Sequence, residues 1–345
     1  MSYAGKAQMI YDCFSFFNEL DLLEIRLNIL KDVVDKFVVV EGTLTHTGKP
    51  KPLYFNENKE RFAAFKDKII HVIVDDFPEP PADYTERQAS WMREDWQRNG
   101  IARGLKDARP EDVVMICDAD EILRPEAVAK LRGRRIKGVA SLGMEVYAYY
   151  LNYKNYTHYV ITAAKVLNFG TFKKLEETEE LRPYGEHDPW VNKGATPTNI
   201  RTYQTNRLIP NAGWHFSYLG GAAAVVQKVK SIAIEFVHEH SEDADWVSKI
   251  IERGDDITRC GGRYFAVPID GRYPAYIREN QKKFSALIYE PPAGYYERTR
   301  WERRKQALRG WIRRNGAKLI PKSLKGFLFD HVYSKLVKDP IVLAS

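Results

Sequence analysis

Asp118-Ala119-Asp120 sets two carboxylates at spacing i, i+2 directly behind the apolar run Val113-Val114-Met115-Ile116-Cys117. On extended backbone that spacing turns both side chains to the same side. Like charges so close repel unless a cation lies between them, and hard oxygen ligands suit Mg²⁺ or Mn²⁺. The preceding run is short, β-branched and without polar relief, the pattern of a strand buried on both faces. Paired acids leaving such a strand stand where open α/β sheets bind ligands. A solvated turn with helix-capping acids would use the same residues, but the buried strand before them favours the metal reading.

The elements that must hold this pair alternate between strand and helix. Met9 to Phe17 reads as a first strand; Asn18 can cap the helix after it, with Glu19 and Asp21 in its first turn. Leu20, Leu23, Leu27, Leu30 and Val34 then recur at steps of three and four, one face of a helix. Phe37 to Val40 gives a second strand closed by Glu41, and Lys68 to Val74 a third. Thr85-Glu86-Arg87-Gln88 fits a capping box opening a helix with Trp91, Arg93, Glu94, Gln97 and Arg98. Pro125 suits the first turn of a helix ending near Arg132, and Val139 to Tyr150 returns as one or two strands. This alternation predicts an α/β fold with a doubly wound, largely parallel sheet.

Beyond Tyr150 the pattern loosens into a stretch rich in Tyr, Asn and Thr, as expected for the acceptor side of a site. In Gly213-Trp214-His215-Phe216-Ser217-Tyr218-Leu219-Gly220-Gly221, one histidine stands between aromatics in a backbone that glycines keep tight. A helix is expected from Ala222 to His238, then irregular chain up to a basic tail. We expect one catalytic domain over 1–290, with a nucleotide half at about 9–150 and an acceptor half at about 151–290, and an extension over 291–345.

With 345 residues, 29% charged and 44% hydrophobic, the chain has the composition of a soluble globular protein able to bury a full α/β core. Nothing reads as a spanning helix, and Met1 to Gln8 lacks the basic-then-apolar pattern of a signal peptide. Cys13, Cys117 and Cys260 are odd in number and far apart, so buried thiols are expected rather than disulfides or a zinc site. The resulting expectation is a cytoplasmic protein. Its net charge of +7 concentrates between Glu297 and Lys325, where Arg and Lys alternate with Trp301, Leu308, Trp311, Ile312, Leu319 and Ile320. A basic amphipathic extension of this kind fits peripheral attachment to the anionic inner face of a membrane, and equally a solvated helix packed on the domain or a nucleic-acid patch.

No Gly-x-Gly-x-x-Gly follows the first strand, and no P-loop, His-Glu-x-x-His or Gly-x-Ser-x-Gly occurs. What remains is an acid pair beside a helix bearing Arg and Gln, which suits a metal-bridged nucleoside diphosphate. The opening Tyr11-Asp12-Cys13-Phe14-Ser15-Phe16-Phe17-Asn18-Glu19-Leu20-Asp21-Leu22-Leu23-Glu24-Ile25-Arg26-Leu27, the strand Phe37-Val38-Val39-Val40-Glu41, Asp118-Ala119-Asp120-Glu121-Ile122 and Gly213-Trp214-His215 together resemble glycosyltransferase family 17. The likeness runs from about Met9 to about Leu287.

The resemblance implies a GT-A-like (Rossmann-like) fold, a UDP-sugar donor with GlcNAc favoured, Mn²⁺ or Mg²⁺, and inversion at the anomeric carbon. Carried onto this sequence, Asp118 would hold the ribose and the metal's water shell, Asp120 would bind the metal, and His215 would be a third ligand. Glu121 would support the loop. Glu41, Arg93 and Arg98 are candidates for contacts to the nucleotide. Inverting transfer needs a general base, usually a carboxylate, and Glu239, Glu235 and Asp188 are candidates, with Glu239 preferred. The chain differs from the family's animal enzymes in showing no membrane anchor or lumenal stem, so a surface-polysaccharide or lipid-linked glycan acceptor is expected, and no nucleic acid.

Two other classes use some of the same residues. A haloacid-dehalogenase-like phosphatase also ends a buried strand in Asp-x-Asp, with the first acid as nucleophile, and Gly254-Asp255-Asp256 could supply its later acids. Against it, the pair lies well inside the chain, and Ile122 follows where Thr or Val is usual. A non-enzymatic polyanion- or membrane-binding protein would explain the basic tail, but it leaves the acid pair without a purpose.

Overall fold

The computed structural model describes residues 7–157, 160–176, 196–231, 239–258 and 262–319. β1 (Ile10–Phe16) leads through α1 (Leu20–Leu30) to β2 (Lys36–Gly42), and past the one-turn α2 (Tyr54–Glu57) to β3 (Ile69–Val74). Then α3 (Glu86–Asn99) and α4 (Ile101–Gly104) deliver the chain to β4 (Val113–Asp118). The expected capping box opens α3: the Gln88 amide N–H donates to the Thr85 hydroxyl, and the Gln88 side chain accepts from the Thr85 N–H.

β3, β2, β1 and β4 lie side by side and all parallel. The chain steps outward from β1 to β3, then returns to the free side of β1 as β4. Strand order therefore reverses between β1 and β4, and the crevice outside their C-terminal ends is where such sheets bind ligands. Ser15 and Asp118 face each other across that point.

After β4 come β5 (Glu121–Leu123), α5 (Pro125–Ala129) and β6 (Ala140–Ala148). β7 (Tyr153–Asn155), β8 (Val160–Ile161), β9 (Lys165–Asn168) and α6 (Phe169–Glu176) follow. α7 (Pro197–Thr202), β10 (Leu208–Ser217), α8 (Gly221–Ser231) and α9 (Ala244–Arg253) precede β11 (Tyr264–Ala266). α10 (Ala275–Glu279) and α11 (Tyr295–Leu319) complete the described chain. β9 runs antiparallel to both β4 and β6, so the expected doubly wound mixed sheet is present and continues the parallel half into the second half.

Apolar side chains cover the parallel strands on both sides. Phe14, Phe37 and Val39 pack with Leu23, Leu27 and Leu30 of α1; Cys13, Val38 and Val40 pack with Ile101, Leu105 and Ile200. Cys13 and Cys117 are buried free thiols, as expected, and Cys260 lies outside the described residues.

Several elements differ from expectation. The chain before the tail is not irregular: α9 runs from an Asp243 cap, whose carboxylate accepts from the Asp245 and Trp246 N–H groups, to Gly254 in the left-handed conformation. Those are ordinary start and stop signals, but polar residues surrounding a short apolar stripe mask the helical period in the sequence. The helix expected to reach Arg132 ends at Ala129. Val139 to Tyr150 does hold a single strand, within the one or two expected, and the chain leaves it at Tyr149 with φ 70°. Among the described residues no helix is long and apolar enough to cross a membrane.

Candidate functional site

Asp118 ends β4, and the chain turns at once through Ala119 and Asp120 into β5. Arg26, fully buried on α1, builds this turn from beneath. Its Nε and Nη2 donate to both Asp12 oxygens at 2.7 and 2.6 Å. Its Nη1 donates to the carbonyls of Asp118, Ala119 and Glu121 at 2.9, 3.2 and 2.8 Å. Glu121 closes the turn from within: its Oε2 accepts the Asp118 N–H at 2.7 Å.

β10 supplies the opposite wall. Gly213 lies across from Leu123, and a Cβ there would come within 2.3 Å of the Ile122 carbonyl oxygen, so only glycine lets the strands approach. That approach sets His215 opposite Glu121, while the Phe216 N–H donates to the Asp120 carbonyl at 2.8 Å. Trp214, next to it, lies beneath the Arg124 guanidinium, 4.0 Å from the ring centroid.

The two acids meet different partners. Asp118 Oδ2 accepts from Arg201 at 2.5 Å and its Oδ1 from Arg98 at 3.4 Å. Asp120 Oδ2 accepts from Lys228 Nζ at 2.9 Å, and its Oδ1 lies 3.4 Å from His215 Nε2. Burial acts to raise the Asp118 carboxyl, but Arg201 and Arg98 outweigh it and hold it below the usual carboxylate range. Burial likewise opposes ionisation of Asp120, and Lys228 with His215 overcomes it, holding the group well below that range. The same contact raises His215 against the effect of its own burial. Both acids are carboxylates at neutral pH.

They open onto a cavity of about 240 Å³ lined among others by Ser15, Thr45, His46, Trp91, Arg98 and Ser217. Burial depresses the His46 pKa, and its Nδ1 stands 3.7 Å from Glu94 Oε2. This is a cleft with a carboxylate floor, an arginine and a lysine within reach, and aromatic walls.

Asp118, Asp120, His215 and Arg98 are thus brought together, whereas Glu41, Arg93 and Glu239 lie elsewhere. Glu41 is fully buried beside α2, where it accepts from the Phe55 and Asn56 N–H groups and faces His71 at 3.2 Å. Arg93 donates to the His46 carbonyl at 3.2 Å and packs over Gly48, so it holds the loop that carries His46 rather than lining the cleft. Glu239 is exposed, 3.7 Å from His240 Nε2, and is not part of the cleft lining. Asp188 and Glu235 lie outside the described residues. Asp255 is paired with Arg253 and Arg263, and Asp256 accepts from Thr258 and Gly262, so these acids brace a loop as the phosphatase reading does not require.

Three cations beyond the expected residues, Arg26, Arg201 and Lys228, hold the turn and its acids. Arg26 had a readable signal, a charge on the apolar face of α1 matched by Asp12 inside an apolar strand. Arg201 and Lys228 had none, because only folding brings α7 and α8 to the turn.

The donor set accommodates a divalent ion in part. Among the described residues, no three or more His, Cys, Asp or Glu side chains gather as a metal site, and Arg201 and Arg98 occupy the two Asp118 oxygens. Asp120 Oδ1 and His215 Nε2 do converge, and His215 Nδ1 is buried without a hydrogen-bond partner among the described residues. Two protein ligands, completed by diphosphate oxygens and water, is how Mg²⁺ and similar ions are commonly held in nucleotide sites. The residues therefore fit such an ion on the Asp120 side.

Comparison with known proteins places this geometry in a family context. The sequence pattern of glycosyltransferase family 17 matches residues 2–178. Beta-1,4-mannosyl-glycoprotein 4-beta-N-acetylglucosaminyltransferase of Homo sapiens is 39% identical over 122 residues, 33% of this chain and 22% of that protein. The Mus musculus protein of the same name is 38% identical over 122 residues, with the same coverage. The chain thus spans about a fifth of the length of these relatives. Among solved structures, the mannosyltransferase PcManGT from Pyrobaculum calidifontis in complex with GDP-Man and Mn²⁺ superposes over 90% of both chains at 13% identity. Its TM-score is 0.35, too low to carry an argument.

Proposed function

This chain belongs to glycosyltransferase family 17, and we propose that it is a metal-dependent inverting transferase moving a sugar from a UDP-sugar to a hydroxyl of a glycan or glycolipid acceptor. GlcNAc is the favoured sugar, in line with the N-acetylglucosaminyltransferases that share a third of the chain. The observation that carries the proposal is the Asp118–Asp120 turn at the point where strand order reverses, with Asp120 and His215 converging at its edge. In this reading Asp120 and His215 hold Mn²⁺ or Mg²⁺, and Asp118 serves the ribose and the water around the metal. Bound there, the ion supplies positive charge to the departing diphosphate. Arg98 and Lys228, both on the cleft wall, are the side chains available to diphosphate oxygens. Because they already neutralise the acids, donor binding would exchange one set of ion pairs for another without burying an unpaired charge.

The test is thermal stability of the purified protein with Mn²⁺ across UDP-GlcNAc, UDP-Glc, UDP-Gal and GDP-mannose. A ligand that binds only the folded state raises its stability by mass action. Selective stabilisation by UDP-GlcNAc supports the reading; a flat response to all four ends it.

A second proposal concerns α11. Trp301 and Leu308 are exposed on it at 68% and 58%, beside exposed Arg300, Arg304 and Arg309. Apolar side chains interleaved with cations favour reversible contact with an anionic membrane surface.

A further inference from the structure

Two cavities meet at Asp120. One is the cleft described above; the other, of about 400 Å³, lies against the start of α1 and is lined among others by Asn18, Asp21, Arg61, Leu219, Gln227 and Leu287. Phe17, Glu19, Asp120 and Lys228 line both. These four side chains form the threshold between the nucleotide side and the second cavity.

A group that takes a proton from an acceptor while sugar arrives from the donor has to stand on that threshold. Only two of the four carry a carboxylate. Asp120 is engaged on both oxygens, by Lys228 at 2.9 Å and His215 at 3.4 Å. Glu19 is engaged on one: its Oε2 accepts the Asn18 N–H at 3.1 Å and the Phe17 N–H at 3.3 Å. These contacts pin the half-buried side chain, and among the described residues no hydrogen-bond partner holds Oε1.

We propose that Glu19 is the general base of the transfer and that the second cavity receives the acceptor. This rests on the transferase reading above. In the step, the acceptor O–H bond breaks and its proton passes to Glu19 Oε1. The acceptor oxygen forms the new bond to the anomeric carbon, and the bond from that carbon to the phosphate oxygen breaks, its electron pair leaving with the nucleoside diphosphate. Water entering the second cavity would be activated in the same way, giving slow hydrolysis of the donor.

The experiment compares wild type, Glu19→Gln and Glu19→Ala for UDP release from UDP-GlcNAc with Mn²⁺, with and without sodium azide. Azide attacks without losing a proton and needs no base. The Gln side chain keeps an oxygen for the Phe17 and Asn18 N–H groups, so UDP binding should persist while kcat falls about 100-fold or more. Azide should restore UDP release in either variant and yield a glycosyl azide. Turnover of Glu19→Gln near that of wild type overturns the assignment, as does loss of activity that azide leaves unchanged. Collapse of both variants assigns Glu19 a structural role and also overturns it. A wild type that releases no nucleotide from any sugar donor, with or without azide, removes the transferase reading itself, so the two failures are told apart.

Discussion

Two clusters of acid and arginine lie back to back across the turn that follows β4, and they differ in what is left over. In the first, Asp12 and Arg26 have side chains with no solvent exposure, and the guanidinium spends its donors on Asp12 and three carbonyls. Its face also rests on the Phe14 ring, 4.1 Å from the centroid. In the second, Asp118 and Asp120 meet Arg98, Arg201 and Lys228 at the wall of a cavity, with Asp118 still 35% exposed. Both pair carboxylates with guanidinium groups, and the second adds the Lys228 ammonium. A closed cluster fixes backbone, whereas an open one has ion pairs that a ligand can replace.

The largest effect is expected from opening the closed cluster. Arg26→Met leaves Asp12 buried without a partner and three carbonyls without a donor, and removing one member of a buried pair costs about 3–5 kcal/mol. Chemical denaturation should show that loss, or the variant should fail to accumulate as folded protein. A denaturation midpoint matching wild type would show that the Asp12–Arg26 pair does not hold the turn.

Asp120→Asn tests the other side of the comparison. Amide for carboxylate preserves shape and leaves Lys228 and His215 near solvent, so circular dichroism should be unchanged. Metal-dependent UDP release should fall about 100-fold, since charge stabilisation by a bound ion is worth several kcal/mol. Retained turnover would remove Asp120 from the metal site; unfolding would make the open cluster structural after all.

His215→Ala sharpens the distinction between two ligands and one. The metal concentration giving half-maximal UDP release should rise about tenfold, as for a lost ligand or its support. An unchanged metal titration with a lowered melting temperature would make His215 a packing residue between Trp214 and Phe216.

The smallest effect belongs to charge outside both clusters. Arg309 is exposed on α11, and a basic residue near an anionic bilayer contributes about 1 kcal/mol. Arg309→Gln should therefore weaken co-sedimentation with phosphatidylserine vesicles about fivefold at low salt, and the difference should vanish as salt shortens the Debye length. If wild type stays in the supernatant at low salt, α11 is a solvated helix and the membrane proposal falls.

Local pattern carried a good deal of this molecule. Buried strands were legible as uninterrupted apolar runs, α1 by its period, and α3 by its capping box, because each of these is fixed within a few residues. Asp118-Ala119-Asp120 was legible because the exit of a buried strand is where open α/β sheets bind ligands. Asp12 and Arg26 stand as charges inside apolar stripes, a signal of a buried pair that goes unused until the fold shows their contact.

Tertiary structure decided the rest. Arg201 and Lys228 lie 83 and 108 residues from the acids they neutralise, in segments whose composition announces nothing. His215 reaches Asp120 because Gly213 lets β10 close on Ile122, a contact between two backbones. Glu41 and Glu239 show the converse: sequence marks both as acids near plausible elements, while the fold buries one under α2 and leaves the other in solvent. Residue types and short spacings determined which groups this chain has for chemistry. Which of them share a cavity was set by the sheet's order and by one close strand contact, because proximity across a hundred residues is a property of packing and not of spacing.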